Sequence, residues 1–288
     1  MIQLHLQVRR ATAQDHRPIA NLIFHEVSTH RHLDWRSALE WIGEQNFWVL
    51  EDHGLVTAAF ACPEEPRNVA WIRLFTHHPQ LPSIEAWSML WEVARAEIFS
   101  ANPQAQVSAI ILKQWFQTLL LSNEFEPKQE IVLLRLNAAS PAAPILPHGV
   151  RIRPMLQNDL PTVTALDMAA FGDFWCNTQD ALQRAHAQAV HATVAEDDAG
   201  IIGYQISKGN PFGAHLARLG VQPEAQGRGV GSALVHELIH KLGSHSSVPL
   251  SVNTQGDNAA SLALYKKLGF VRTGEYFPVF MYSQKGSR

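Results

Sequence analysis

Cysteine is nearly missing from these 288 residues: only Cys62 and Cys176 occur, which excludes a disulfide framework and points to a reducing compartment. Charge of one sign is also missing. Lys plus Arg number 23 against 26 Asp plus Glu, a net charge of −3, so the basic stripe of a nucleic-acid binder is not expected. Long apolar runs are absent, and none approaches the roughly 18 residues that a membrane-crossing helix needs. The opening Met1–Leu6 has neither a basic start nor a cleavable apolar run, so export is not signalled and a cytoplasmic protein is expected. Glycine is scarce in one half only, Gly43 and Gly54 being the two before residue 137. What is present there is tryptophan: seven of the eight precede residue 137, and Trp175 is the eighth. The first half reads as built for packing, the second for close approach of backbone to a ligand.

Residues 138–149 carry three prolines among small residues and read as a linker. They divide the chain into 1–137 and 150–288, each the size of one domain. The two parts repeat one order of elements. An extended segment (Val8–Thr12; Val150–Pro154) leads to an Asp-headed helix running through Val27 or Ala170. A second helix pattern follows (Trp35–Gln45; Thr178–Ala189), then a hairpin around an Asp/Gly turn (Phe47–Ala61; Ala192–Ser207). Next comes a strand feeding a long helix (Val69–Phe75 to Ile84–Phe99; His215–Val221 to Gly231–Leu242), with a further strand, helix and strand pair to close. Such a pattern is an internal duplication of one α/β domain.

Two segments of the second part point to chemistry. In Gln226-Gly227-Arg228-Gly229-Val230-Gly231-Ser232, alternating glycines open a helix after a strand. Backbone N–H groups can converge there without Cβ interference, where the helix start offers unpaired donors and a favourable dipole for a pyrophosphate. A dinucleotide fingerprint would require an acid ending the next strand, and Val248–Val252 is followed by Asn253-Thr254-Gln255 instead. The second segment runs from Leu250 to Phe270, with a helix starting near Asn258, Tyr265 two turns further on the same side, and Gly269 as its stop. His236-Glu237-Leu238-Ile239-His240 has zincin spacing, yet it lies on the helix behind the glycine loop with no third ligand indicated, and no metal is expected. Cys176 lacks the His/Asn pattern of a cysteine nucleophile and reads as a buried thiol.

Gln226–Gly231, the preceding Leu219-Gly220-Val221-Gln222-Pro223 and the Asn258…Tyr265…Leu268-Gly269-Phe270 spacing resemble the GNAT superfamily of acyl-CoA-dependent N-acetyltransferases. The resemblance covers 150–284. By element order, 1–137 resembles a degenerate copy whose equivalent loop, His77–Ser83, has two prolines and no glycine. It implies two tandem α/β domains, each with a mixed, mostly antiparallel sheet flanked by helices, the second binding acetyl-CoA and transferring acetyl to an amine. It places the pantetheine arm on the backbone of Leu219 and Val221, the pyrophosphate on Gln226, Gly227, Arg228, Gly229, Val230, Gly231 and Ser232, and a further cofactor contact on Asn258. Tyr265 would serve the departing thiolate. His215 is the candidate base, on the face that simple alternation shares with Ala217, Leu219 and Val221, with a water relay as the alternative. Phe171, Phe174 and Trp175 would line the acceptor pocket. The acceptor stays open between a small amine, as in mycothiol synthases, and a protein N-terminus, as in ribosomal-protein acetyltransferases. A non-catalytic CoA-binding scaffold is the reading outside enzymes, and a homodimer stays open as well.

Overall fold

The computed structural model describes residues 5–137, 146–210, 213–243 and 249–284. The linker expected at 138–149 therefore lies largely outside the described residues. The first sequence copy runs β1 (Leu6–Arg10), α1 (His16–Phe24), β2 (Thr29–Arg31), β3 (Phe47–Asp52), β4 (Leu55–Ala61), β5 (Val69–Trp71), β6 (Leu74–His77), α2 (Ser83–Ala101), β7 (Gln106–Ile110), α3 (Gln114–Leu121) and β8 (Glu126–Leu136). The second runs β9 (Arg151–Pro154), α4 (Leu160–Trp175), α5 (Gln179–Ala187), β10 (His191–Asp197), β11 (Gly200–Asn210), β12 (Gly213–Val221), α6 (Val230–Gly243), β13 (Leu250–Gln255), α7 (Ala259–Lys267) and β14 (Phe270–Ser283).

The duplication is written in side chains as well as in element order. Arg9 grips Asp15 through two N–H groups at 2.8 and 2.9 Å and reaches Glu51 on the neighbouring strand at 2.7 Å. Arg153 grips Asp159 in the same way at 2.6 and 3.0 Å and reaches Glu196 at 3.0 Å. Both Asp residues also accept a backbone N–H three residues back, and both hairpins bulge beside the Glu, at Leu50/Glu51 and Ala195/Glu196. Two unrelated domains would not share a bulge and a three-residue ion-pair cluster at matching positions.

The compact units are not the two sequence halves. One consists of residues 1–128 and 278–288, the other of 129–277. In the first, the end of β14 pairs with β7 (Val279 opposite Ile110, Met281 opposite Ser108). In the second, the end of β8 pairs with β13 (Ser251 opposite Arg135, Gln255 opposite Ile131). Each copy thus ends in a strand belonging to the unit of the other. Local pattern cannot report this, because an alternating strand fits either partner equally well.

Within the first unit, one sheet has the order β1-β3-β4-β6-β2, and β5, β7 and the end of β14 form a second set of paired strands. Its core is the aromatic cluster that the tryptophans announce: Trp87, Phe60, Phe75 and Phe116 are fully buried, Trp91 nearly so. Between Trp35 and Gln45 only a 3-10 turn forms, Ala38–Trp41, in place of the expected helix. Gly43 at φ +96° ends it, while Trp41 is pinned beneath the Arg36 guanidinium 4.0 Å from its ring. The segment expected as one strand, Val69–Phe75, is broken into β5 and β6 around Ile72 and the buried Arg73.

In the second unit the strand order is β14-β8-β13-β12-β11-β10-β9. The β9–β10, β10–β11, β11–β12 and β8–β13 pairs are antiparallel, and β12–β13 is parallel. Helix α6 covers one face, through Val230, Leu234, Val235 and Leu238. Helix α4 lies on the other, with Leu166 against Gly220. Among the described residues, no helix is long and apolar enough to cross a membrane.

Candidate functional site

The parallel pair β12–β13 does not stay together. β12 and β13 are in register at Ala214–Leu250, His215–Ser251 and Leu216–Val252, and there the ladder ends. β12 continues alongside β11 to Val221, and β13 continues alongside β8 to Gln255. A wedge opens between them, and Leu219 and Val221 border it. The divergence begins at a bulge: Ile206 faces Arg218 and Ser207 faces Leu216, so Ala217 is an extra residue in β12.

The bulge also reverses the alternation. Ala214, Leu216, Leu219 and Val221 all pack with the α6-side clusters. His215 and Arg218 face the opposite side of the sheet. His215 therefore does not share a face with Leu219 and Val221, contrary to simple alternation; the inserted Ala217 is the reason. On that opposite face the His215 Nδ1 is 2.9 Å from Ser251 Oγ. Ser251 Oγ also lies 3.4 Å from the Ala214 carbonyl; with its proton given there, Nδ1–H donates to Ser251 and Nε2 carries the lone pair. Burial, with Lys208 adding a like charge, holds the His215 pKa below the ordinary histidine value and keeps the ring neutral at neutral pH.

The wedge mouth leads to the glycine loop. Gly227 and Gly229 adopt φ of +75° and +88°, values that strain any residue with a Cβ. Gln226 through Gly229 are exposed and Val230 begins α6, so the first N–H groups of a fourteen-residue helix face outward beside flexible glycine backbone. The Gln226 amide donates to the Val221 carbonyl at 3.2 Å and closes the loop on β12. Arg228 is paired with Asp197 at 3.0 Å while remaining 45% exposed. Gly231 has only ordinary contacts at 3.5–4.0 Å around a built Cβ, and it lies within the helix start with Ser232.

Asn258 caps α7, its side-chain oxygen accepting the Ser261 N–H at 3.0 Å. Tyr265 is 4% exposed and packs 5.6 Å from the Phe270 ring, and its hydroxyl makes no hydrogen bond among the described residues. Burial raises its phenol above the ordinary tyrosine value, so it is a neutral donor.

Residues that sequence reasoning missed organise the α4 side of the sheet. Asp167 on α4 is fully buried and binds Arg218 twice, at 2.7 and 2.8 Å. It also accepts the Tyr204 hydroxyl and the Asn177 N–H, the latter at 2.6 Å. Arg218 donates further to the Trp175 carbonyl at 2.7 Å, and its guanidinium lies 3.5 Å over the Phe171 ring. Burial opposes the charge on Arg218, but Tyr204 and Asp167 hold its pKa above the ordinary value. This network clamps a kink in α4, where Gly172 sits at φ +66° and ψ 177°. Phe171, Phe174 and Trp175 flank the kink and are half-buried. A charged residue inside the apolar run Leu166-Asp167-Met168 is the signal that would have flagged the site. Cys176 is buried, and its thiol points at the Asp173 carbonyl at 3.5 Å, with burial raising its pKa. Glu237 of the zincin-like stretch is bound to His191 at 2.8 Å.

In the first unit the corresponding connection from β6 to α2 starts its helix behind Pro82, which has no N–H to offer.

Residues 160–270 match the acetyltransferase (GNAT) family. Mycothiol acetyltransferase of Amycolatopsis mediterranei (strain U-32) is 31% identical over 175 residues, 54% of this chain and 58% of that protein. The N-alpha-acetyltransferase RimI of Mycobacterium tuberculosis (strain ATCC 25618 / H37Rv) is 36% identical over 88 residues, 29% of this chain and 54% of its own length. The chain thus spans little more than half of these relatives. Over the whole chain, the fold is similar to a tandem GNAT protein from the clavulanic acid biosynthesis pathway (TM-score 0.63, 15% identity, 99% of this chain and 100% of that one). It is also similar to a GCN5-related N-acetyltransferase from Sphaerobacter thermophilus (TM-score 0.61, 16% identity, 96% and 95% covered). Residues 160–270 thus match the acetyltransferase (GNAT) family, and over its length the chain has the fold of a tandem GNAT protein.

Proposed function

We propose that the second unit transfers acetyl directly from acetyl-CoA to the amine of a small molecule. The observation that carries this reading is the wedge between β12 and β13 opening beside the glycine loop. Acetyl-CoA fits those residues: β12 backbone at 219 and 221, past the end of the β13 ladder, for the pantetheine amides, and the α6 start from Gly227 to Ser232 for the pyrophosphate. Arg228, still half in solvent, supplies a cation to the same anion. Asn258 serves chiefly by capping α7, which holds Tyr265 in place.

The amine must arrive or become neutral before it attacks the thioester carbonyl, and the thiolate that departs must be stabilised. In this reading His215 Nε2 takes the proton from the ammonium, directly or through water, and Tyr265 donates to the sulfur. Phe171, Phe174 and Trp175 form the acceptor wall, held by Arg218. The small-amine acceptor is supported by the longer of the two kinds of sequence match, that to the mycothiol acetyltransferases.

The test is radiolabelled acetyl-CoA offered with glucosamine, a cysteine amide, a polyamine and a peptide with a free N-terminus. Transfer to one of the first three is expected; transfer to the peptide alone would replace the small-amine reading, and transfer to none would remove the catalytic one. The pH dependence gives a second check. Since burial lowers the His215 pKa, the acid limb of kcat/KM should lie below the usual histidine value near 6.5. His215→Ala should flatten that limb, with partial recovery as pH rises. A limb unchanged in His215→Ala would assign the proton transfer elsewhere.

A further inference from the structure

The strand that the first copy contributes to the second unit reaches that unit's proposed site. Gln129, on β8, uses both ends of its amide. Its Oε1 accepts the Trp175 indole N–H at 3.1 Å, and its Nε2 donates to both carboxylate oxygens of Asp257, at 2.8 and 3.0 Å. Asp257 directly precedes Asn258, the cap of the helix that carries Tyr265. The neighbouring Glu130 fastens the same turn: its carbonyl accepts the Gly256 N–H at 2.9 Å, and a Cβ at Gly256 would come within 2.7 Å of the Glu130 Oε1. Residues 129 and 130 therefore tie the aromatic segment at the end of α4 to the entrance of α7, although in sequence both lie with the first copy.

We propose that Gln129 is a positioning residue for the acceptor, supplied to the second unit by the exchanged strand, which fixes the Trp175 wall relative to the α7 entrance. The proposal rests on reading Phe171–Trp175 as the acceptor wall. Gln129 touches neither reacting group. Its effect is exerted through Trp175, whose backbone carbonyl is already tied to Arg218. The anchors of Trp175 include one on the main chain and one on the indole, and removing the second loosens the hold on the ring. An orientation loss of this kind falls on acceptor binding, because the Gln129 amide bonds Trp175 and Asp257, neither of which is read as holding the pantetheine arm or the pyrophosphate.

The experiment uses the full chain and the best acceptor of the amine panel. Gln129→Leu is expected to raise the acceptor KM about tenfold, the scale of one charge-assisted bridge, while the acetyl-CoA KM changes by less than about twofold. Gln129→Glu places a carboxylate against Asp257 and should do the same. Adding Asp257→Asn to Gln129→Glu restores a donor facing the new carboxylate, which can also accept the indole N–H, and should return the KM toward the wild-type value. The bridge is read separately in a ¹⁵N-tryptophan spectrum, where the Trp175 indole signal, identified by Trp175→Phe, should shift in both single variants and return in the double one. An unchanged acceptor KM in Gln129→Leu, or no rescue by Asp257→Asn, overturns the proposal. Failure of the wild-type chain to acetylate any amine overturns the functional reading instead.

Discussion

Tyr265→Phe is expected to slow the chemical step by roughly 10²–10⁴-fold if its hydroxyl is fully used on the leaving thiolate. Acetyl-CoA affinity should be nearly unchanged, because that interaction strengthens only as charge builds on sulfur. Stability should hardly move. The ring is buried against Phe270, the hydroxyl has no hydrogen-bond partner among the described residues, and removing an unpaired hydroxyl leaves nothing stranded. With a phenol pKa pushed above the ordinary value, full transfer of the proton to a thiolate would be uphill, so the role is donation of a hydrogen bond. Single-turnover rates together with a binding isotherm separate these effects. Full single-turnover activity in Tyr265→Phe would reduce the residue to packing.

Asp167→Ala is expected to destabilise the second unit by about 3–5 kcal/mol, since it strands a buried guanidinium. Four donors meet at that fully buried carboxylate, from Arg218 twice, Tyr204 and Asn177. The paired replacement Asp167→Leu with Arg218→Met should lose far less, because both charges leave together. Denaturant unfolding of the two variants decides between these outcomes. Equal losses in both would mean that the network contributes shape and not charge compensation. The paired variant should still bind its acceptor poorly, as the Trp175 carbonyl loses its anchor and Phe171 its cation.

What could be read from the chain alone follows from how local the cause is. Gly227 and Gly229 were legible because positive φ demands glycine, and the helix behind them because its apolar period is unbroken. The hairpins were legible through their turns, to within a residue or two except at the end of β11, which runs three residues past Ser207 to Asn210. The face of His215 was not, since one inserted residue, Ala217, inverts every side chain beyond it without changing composition. The exchange of β8 and β14 was equally silent, because the partner of a strand is a tertiary choice. The clamp on α4 needed the meeting of Asp167 and Arg218, 51 residues apart, and their pairing is visible only once α4 lies across β12. The expected helix at Trp35–Gln45 yielded to Gly43 and to a tryptophan held by two arginines.

Calorimetry of acetyl-CoA with the full chain tests the central claim most directly, that one unit alone carries the acyl donor. One site per chain is predicted, with binding abolished when Gly229→Asp and Gly231→Asp are combined, because they add backbone strain and carboxylates where a pyrophosphate would sit. Two comparable sites per chain, no binding at all, or binding that survives that double substitution would contradict the account.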